Sequence, residues 1–194
     1  LVNMKLTGAQ VKAVLEQQWQ PGNASRPFLK LGISKGLTYT SDDSRAAGNR
    51  ITGIWLNGTP IEPATQYTVT VNSFLSTGGD NFTALAGGTN KQNTGKTDLQ
   101  AQVDYFAAKN GVAVPVDAQP NGVTVVFPAG SNKRFSPGEH VKFNVSGFSM
   151  TNSDDPLDTA VVVKSGADTL GSFPLDNAPQ LAQPSVKRGK NDAA

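Results

Sequence analysis

Residues 72–82 combine residue types that could recognise a flat ring attached to a diol. The segment has the sequence Asn-Ser-Phe-Leu-Ser-Thr-Gly-Gly-Asp-Asn-Phe and follows a strand pattern rich in Val and Thr. The paired glycines Gly78 and Gly79 permit a tight turn and a close approach of the backbone to a ligand. An exposed Phe74 could stack on a base, and the Asp80 carboxylate could accept hydrogen bonds from two vicinal hydroxyls. Such a site would select nucleosides over simple phosphate esters.

A purely structural interpretation of the same segment stays open. Gly-Gly-Asp is a common turn sequence, and Asp often closes such a turn by bonding its own backbone. Phe74 and Phe82 could then be ordinary core residues. The local sequence alone does not decide between a ligand-binding turn and a structural turn.

The composition excludes several other kinds of site. The 194 residues include no Cys and a single His, so a disulfide framework, a Cys nucleophile and a His-rich metal site are excluded. The net charge of +2, from 17 basic and 15 acidic residues, gives no reason to expect a nucleic-acid partner. No run of 18 apolar residues is present, so we expect no membrane-spanning helix. No residue of this chain is predicted to be catalytic or to bind a metal.

Two helices are predicted by their N-terminal caps. Thr7 with Gln10, and Thr97 with Gln100, have the spacing of a capping box. The first helix is predicted over about residues 8–19, and the second begins at Thr97 and ends near Asn110-Gly111. The apolar residues expected to form the buried face of the second helix are Leu99, Val103 and Phe106.

Alternation of apolar and polar residues predicts the strands of the same region. Asn57-Gly58 is a strong signal for a hairpin turn. The predicted strands are residues 1–6, 28–33, 36–40, 50–56 and 66–73, and residues 86–96 are predicted to form a loop. The order of elements predicts an α+β domain over residues 1–114, in which a mixed sheet packs with two helices.

The character of the sequence changes after residue 114. Residues 115–121 are predicted to be a linker because they contain two prolines. Residues 122–173 show only strand patterns separated by turn residues, which predicts a small all-β module with an Ig-like sandwich as the candidate architecture. Residues 174–194 contain three prolines and a basic cluster and are predicted to be a loosely attached tail.

The 72–82 segment resembles the recognition motif in the C-terminal domain of the 5'-nucleotidase / UDP-sugar hydrolase / 2',3'-cyclic phosphodiesterase family. In that family a strand leads to Asn-Phe or Asn-x-Phe, then a short spacer, then Gly-Gly-Asp-Gly and an aromatic residue. Further similarity lies at Leu6 and Gly8 before the first helix, at residues 28–32 and at residues 61–67. The resemblance covers about residues 1–113.

The resemblance implies roles for five residues of the segment. Phe74 matches the aromatic that stacks against the nucleobase, and Asp80 matches the acid that binds the ribose hydroxyls. Gly78 and Gly79 match the glycines that shape the turn. Phe82 matches the aromatic after the motif, which we interpret as packing more than contact. These five residues are the predicted substrate-binding residues.

This sequence departs from the family pattern at two positions of the segment. Asn81 stands where the family prefers Gly. Because Asn tolerates left-handed φ better than most residues, the turn can survive this change. Ser73 stands where some members have Asn, which leaves the polar contacts to the base open.

The hydrolytic part of the family has no counterpart in these residues. The resemblance implies a two-metal site in a separate N-terminal metallophosphatase domain, with His, Asp and Asn ligands. It also places the second stacking aromatic and the phosphate-binding arginines before Leu1. We therefore expect the chain to be part of a longer enzyme, with a recognition domain incomplete at its N-terminus. The divalent metals are expected in the absent catalytic domain, and that missing part is the expected partner of this chain.

One function is favoured, and two others stay open. The favoured function is the nucleotide- or nucleoside-recognition portion of a secreted, metal-dependent 5'-nucleotidase-like phosphohydrolase, with an extracellular or cell-envelope location implied by the resemblance. The parent protein would then be a hydrolase of nucleotide catabolism, whereas this chain alone would not be an enzyme. The alternative is a non-catalytic extracellular interaction module that binds through residues 122–173. A third option is a domain that only binds nucleosides.

Overall fold

A computed structural model describes residues 1–114, 122–136, 138–146, 159–165 and 167–175 of the chain. The chain divides into two compact units, Leu1–Val114 and Pro115–Ala194. The helices in the described part of the chain lack the length and the apolar composition of a membrane-spanning segment.

The first unit has the α+β character that the sequence predicts. Its strands form two three-stranded sheets, in the orders β5-β1-β6 and β2-β3-β4. The strands are β1 (Val2–Thr7), β2 (Leu37–Ser41), β3 (Ile51–Leu56), β4 (Thr59–Pro60), β5 (Gln66–Val71) and β6 (Thr89–Asn93). The helices are α1 (Gly8–Glu16), α2 (Ser73–Ser76), α3 (Thr83–Ala86) and α4 (Asp98–Ala107), with a 3₁₀ turn at Gly79–Asn81.

Both sheets are antiparallel, so the expectation of a mixed sheet is wrong for the described strands. β1 lies between β5 and β6 and runs opposite to both. β3 lies between β2 and β4, again antiparallel to each. The predicted turn at Asn57-Gly58 is confirmed, because it joins β3 to β4 with positive φ at both residues. Parallel neighbours would require a crossover connection, which a two-residue turn cannot provide.

The segment predicted as a strand over residues 28–33 is not one. Only Phe28 pairs, through an isolated bridge to Trp19. The next residues are held by Gln18 instead, because its carbonyl accepts from Leu29 N at 2.8 Å and its side-chain oxygen accepts from Leu31 N at 2.9 Å. Gln18, which follows α1, therefore takes the place of a neighbouring strand as the hydrogen-bond partner of Leu29 and Leu31.

Strand β6 lies within residues 86–96, where the sequence predicts a loop. Its sequence, Thr-Asn-Lys-Gln-Asn, has no apolar residue and therefore no alternating pattern. It forms because its backbone pairs with the edge of β1, with Val2 opposite Asn93. A tertiary contact has overridden the local preference.

Helix α1 begins as the sequence predicts and packs against both sheets. Thr7 Oγ1 accepts from Gln10 N at 3.2 Å, and Gln10 Oε1 accepts from Thr7 N at 2.8 Å, which confirms the capping box. One buried apolar cluster contains Met4, Leu6, Val14, Phe82 and Leu85, and a second contains Leu15, Ile51 and Ile54.

Helix α4 does not bury the face that the sequence predicts. Leu99, Val103 and Phe106 are all exposed, because no described element covers them. Its capping box is only half formed, since the Gln100 side chain donates to Asp104 at 2.7 Å instead of returning to the cap. A hydrogen bond from Lys96, and to a smaller extent one from Gln100, lowers the pKa of the Asp104 carboxyl below its usual value.

The described part of the second unit consists of two antiparallel hairpins. The strands are β7 (Thr124–Val126), paired with β8 (Asn144–Ser146), and β9 (Ala160–Ser165), paired with β10 (Asp168–Pro174). The rings of Phe135 and Phe143 lie 5.9 and 5.8 Å from that of Phe127. The all-β character agrees with the sequence, but an Ig-like arrangement is not seen in these hairpins. The predicted linker 115–121, and the tail from residue 176 onward, lie outside the described residues.

Candidate functional site

The candidate residues lie on a turn between two short helices. β5 ends at Val71, and Asn72 caps α2 by accepting from Leu75 N at 2.8 Å. The sequence predicts a strand that runs directly into the two glycines. Instead, α2 separates the strand from the turn and places Phe74 on its single helical turn.

The backbone of this turn is left-handed at three of its four residues. The φ angles are 92° at Gly78, 52° at Asp80 and 63° at Asn81. Gly78 adopts this region freely, whereas a residue with a Cβ pays roughly 1–2 kcal/mol. Positive φ at two successive non-glycine residues persists only where the surroundings hold it, and such strain clusters at functional sites.

Phe74 presents an open aromatic surface beside this turn. The residue is 57% exposed. A Cβ built at Gly79 would lie 2.6 Å from two carbons of the Phe74 ring, so the ring rests directly on the backbone of Gly79. A glycine at this position is therefore required for the observed ring position, and the ring can offer its open surface to another flat group.

Asp80 presents an exposed carboxylate on the same turn. Its backbone carbonyl accepts from Gln20 Nε2 at 3.0 Å. Within the described part of the chain, no hydrogen bond reaches its carboxylate oxygens, so the side chain does not close the turn by bonding its own backbone. This distinguishes Asp80 from an ordinary turn aspartate. The carboxylate can accept hydrogen bonds from a ligand without breaking one.

Phe82 belongs to the core and not to the surface of the site. It is 2% exposed and packs in the cluster that contains Met4, Leu6 and Leu85. This placement fits the packing role that the resemblance implies. Phe82 therefore anchors one end of the turn to the sheet, while Phe74 stands in solvent at the other end.

Two glutamines that the sequence analysis did not single out hold the turn. Gln20 donates to the carbonyl of Asp80, and its side-chain oxygen accepts from Asn81 Nδ2 at 2.8 Å. Gln17 accepts from Ala84 N at 3.0 Å, at the start of α3. The sequence feature that could have indicated these contacts is the run of polar residues at the end of the predicted first helix.

A cleft of about 860 Å³ adjoins the turn. Asn81 forms part of its wall, together with Trp19 and Arg50. The Arg50 guanidinium lies 5.3 Å from the centre of the Trp19 ring, which is the geometry of a cation–π contact. Phe74 and Asp80 do not line this cleft, so they form an open surface next to it.

A second exposed ring is connected to the turn through Gln20. Phe28 is 42% exposed and meets Trp19 edge-on, with ring centres 5.2 Å apart. Gln20 N donates to the carbonyl of Pro27 at 2.9 Å, while the Gln20 side chain bonds to Asp80. One glutamine thus connects the segment that carries Phe28 to the candidate turn.

The metals implied by the resemblance have no ligand set in the described ranges. No three His, Cys, Asp or Glu side chains come together there in a way that could hold a metal ion.

The part of the chain that carries this turn is similar to a known protein family. Residues 1–87 match the 5'-nucleotidase C-terminal domain. This nucleotidase-like region (residues 1–87) extends from β1 to α3 and contains all five predicted substrate-binding residues. The match ends before β6 and α4.

Three individual proteins are similar to part of this chain. The chain is 38% identical over 117 residues to a 5'-nucleotidase-related protein of Glossina morsitans morsitans, an alignment that covers 55% of this chain and 20% of that protein. A 5'-nucleotidase precursor from Thermus thermophilus is 31% identical, with a TM-score of 0.48 and coverage of 60% of this chain and 24% of that chain. For the Haemophilus influenzae NAD nucleotidase NadN, the identity is 18%, the TM-score 0.47 and the coverage 59% and 23%. The chain thus spans about a fifth of the curated relative.

Proposed function

We propose that the nucleotidase-like region binds the nucleoside part of a nucleotide. In this proposal Phe74 stacks on the base, and the Asp80 carboxylate accepts hydrogen bonds from the ribose hydroxyls. The observation that carries the proposal is that an exposed Phe74 ring rests on the backbone of a strained turn, and that this turn also carries the exposed Asp80 carboxylate, which no described group bonds. The family match of residues 1–87 supports the choice of nucleotide as the ligand class.

The two contacts are strong enough to give selectivity. Stacking of a base on an aromatic side chain contributes about 1–3 kcal/mol. A hydrogen bond to a charged group contributes about 1.5–3 kcal/mol. A ligand that has both a base and a ribose diol would therefore bind better than one that has only a phosphate ester.

In the whole protein, this region would orient a nucleotide for hydrolysis elsewhere. The proposed role is recognition within a secreted, metal-dependent 5'-nucleotidase-like phosphohydrolase, located outside the cell or in the cell envelope. The contribution of the nucleotidase-like region would be positioning, because holding the nucleoside fixes the phosphate relative to a metal site. The catalytic domain and its divalent metals belong to this proposal.

Adenosine binding by the 194-residue chain tests the proposal directly. Phe74→Ala and Asp80→Asn are each expected to weaken binding about tenfold, which corresponds to about 1.4 kcal/mol. Phe106→Ala is the matched control for the ring, because Phe106 is 54% exposed and lies on α4. Asp43→Asn is the control for the carboxylate, since Asp43 is also exposed. Isothermal titration measures the wild-type chain and each variant, and equal affinities throughout would contradict the proposal.

A second candidate function has one observation in its favour. The β9–β10 hairpin exposes three apolar side chains, Val162, Leu170 and Phe173. An exposed apolar side chain is removed from water when a partner covers it, which favours binding. The corresponding proposal is a non-catalytic extracellular interaction module. The test replaces Leu170 and Phe173 by Ser and measures binding of the labelled protein to whole cells. Loss of cell binding with unchanged adenosine affinity would favour this function.

A further inference from the structure

We propose that Gln20 is a positioning residue, which acts through the turn to hold Asp80 ready for a ribose diol. We infer further that the Gln20–Asn81 hydrogen bond compensates for the absence of glycine at position 81. The inference rests on the proposed function, because it assigns ribose recognition to Asp80.

The turn requires an external restraint because its own residues do not favour it. Asp80 and Asn81 are both left-handed, and each carries a Cβ. Asp and Asn visit this region as single residues, but two in succession add their costs. Without a restraint, the segment would spend part of its time in other conformations, in which the Asp80 carboxylate points elsewhere.

The side-chain amide of Gln20 provides this restraint with one N–H and with its oxygen. Nε2 donates to the carbonyl of Asp80 at 3.0 Å and to the carbonyl of Gln17 at 2.9 Å. Oε1 accepts from Asn81 Nδ2 at 2.8 Å. The backbone of Gln20 is itself fixed, since its N donates to the carbonyl of Pro27 at 2.9 Å. The side chain therefore connects both left-handed residues to a fixed point.

Gln20 is not needed for the hydrophobic core. It belongs to neither buried cluster, and its side chain forms part of the cleft wall with Asn81. Loss of its amide would therefore release the turn without opening a cavity in the core. A variant without the Gln20 amide should therefore change ligand binding without a large loss of unfolding free energy.

Position 81 should be energetically coupled to Gln20. A glycine there would adopt positive φ without the Cβ penalty and would need no side-chain partner. Asn81 instead reaches positive φ with its amide bonded to Gln20. If this bond compensates for the missing glycine, Asn81→Gly should restore part of the adenosine affinity that is lost when the Gln20 amide is removed.

The test compares adenosine with 2',3'-dideoxyadenosine, which lacks the ribose diol. The proteins are the full wild-type chain, Gln20→Met, Asn81→Gly, the Gln20→Met/Asn81→Gly double variant and Asp80→Asn. Gln20→Met keeps the length of the side chain but removes its amide. Gln100→Met is the matched control, because the Gln100 side chain bonds to Asp104, which lies on α4 and not on the turn. Thermal unfolding of each variant verifies the fold.

Gln20→Met is expected to weaken adenosine binding about five- to tenfold, since the hydrogen bonds that hold Asp80 and Asn81 are removed. Binding of the dideoxy compound should change by less than about twofold, because base stacking on Phe74 is untouched. The double variant should bind adenosine more tightly than Gln20→Met alone. Gln100→Met should match the wild-type chain for both compounds.

The following results would overturn the inference, the proposed function or both. Equal losses for the two compounds in Gln20→Met would make Gln20 a structural residue. No loss in Gln20→Met, when Asp80→Asn has removed the preference for adenosine, would overturn the inference and keep the proposed function. A wild-type chain without preference for adenosine would overturn the proposed function and the inference with it. If Gln20→Met does not fold, Gln20→Glu replaces it, because Glu still accepts from Asn81 but cannot donate to Asp80.

Discussion

Phe74 and Phe82 lie on the same short segment but in opposite environments, and their substitutions should separate recognition from stability. Phe82 is fully buried among core side chains, so Phe82→Ala is expected to cost about 3–5 kcal/mol of unfolding free energy. Phe74→Ala removes an exposed ring and should change stability by less than about 0.5 kcal/mol. Urea unfolding of both variants checks this. A large loss for Phe74→Ala would show that its ring is part of the fold.

Gly79 should matter for binding more than for stability. A Cβ at this position would meet the Phe74 ring, which is an exposed side chain and can swing away at low cost. Gly79→Ala is therefore expected to keep the unfolding temperature and to weaken adenosine binding about tenfold by displacing the stacking surface. Gly32→Ala is the control, because a Cβ there meets nothing within 4 Å. Unchanged adenosine affinity in Gly79→Ala, measured by titration, would contradict the role of the ring.

At the same scale, the sequence predicts the chemistry of the site but not its supports. Phe74 and Asp80 could be singled out because their side-chain types and neighbouring glycines suit a base and a diol. The contacts from Gln17 and Gln20 could not be predicted, since they join the segment that follows α1 to a turn that is distant in sequence. The left-handed φ at Asp80 depends on those contacts, so it too was outside the reach of local patterns.

At the scale of elements, the two capped helices should respond differently to loss of their caps. Thr7 completes a full capping box on α1, which packs against the core. Thr7→Ala is expected to cost about 1 kcal/mol of global unfolding free energy. Thr97→Ala removes the cap of α4, which buries no residue, so it should fray that helix and leave the main unfolding transition in place. Thermal unfolding measures the global effect, and amide exchange over residues 98–107 measures fraying of α4. Equal shifts of the melting temperature in Thr7→Ala and Thr97→Ala would contradict this prediction.

The elements that the sequence predicts well are those with local causes. The α1 capping box and the Asn57-Gly58 turn need only neighbouring residues, and both are confirmed. β6 is a strand because β1 offers it an edge, and residues 28–33 are irregular because Gln18 bonds their backbone. The apolar face of α4 has the right period for burial but meets no described partner. Each failure therefore arises from a contact that is distant in sequence or absent from the described part of the chain.

At the scale of the whole molecule, the site and the main core belong to one unit. The buried apolar residues of both clusters lie between Met4 and Leu85. The candidate turn, the supporting glutamines and Phe28 lie within the same part of the chain, which is also the part that matches the nucleotidase family. The two candidate functions therefore make different demands on the two units, Leu1–Val114 and Pro115–Ala194.

Removal of residues 115–194 distinguishes these functions. If the turn is the functional site, a chain of residues 1–114 should fold, because it keeps both buried clusters, and should bind adenosine within about twofold of the full chain. Amide spectra of the two chains, overlaid with and without adenosine, provide the measurement, and Phe74→Ala in the shortened chain provides the control. Loss of adenosine binding from a folded 1–114 chain would assign an essential part of the site to the second unit. Retained binding would restrict nucleoside recognition to the first unit and leave the exposed apolar residues of β9 and β10 for a separate partner.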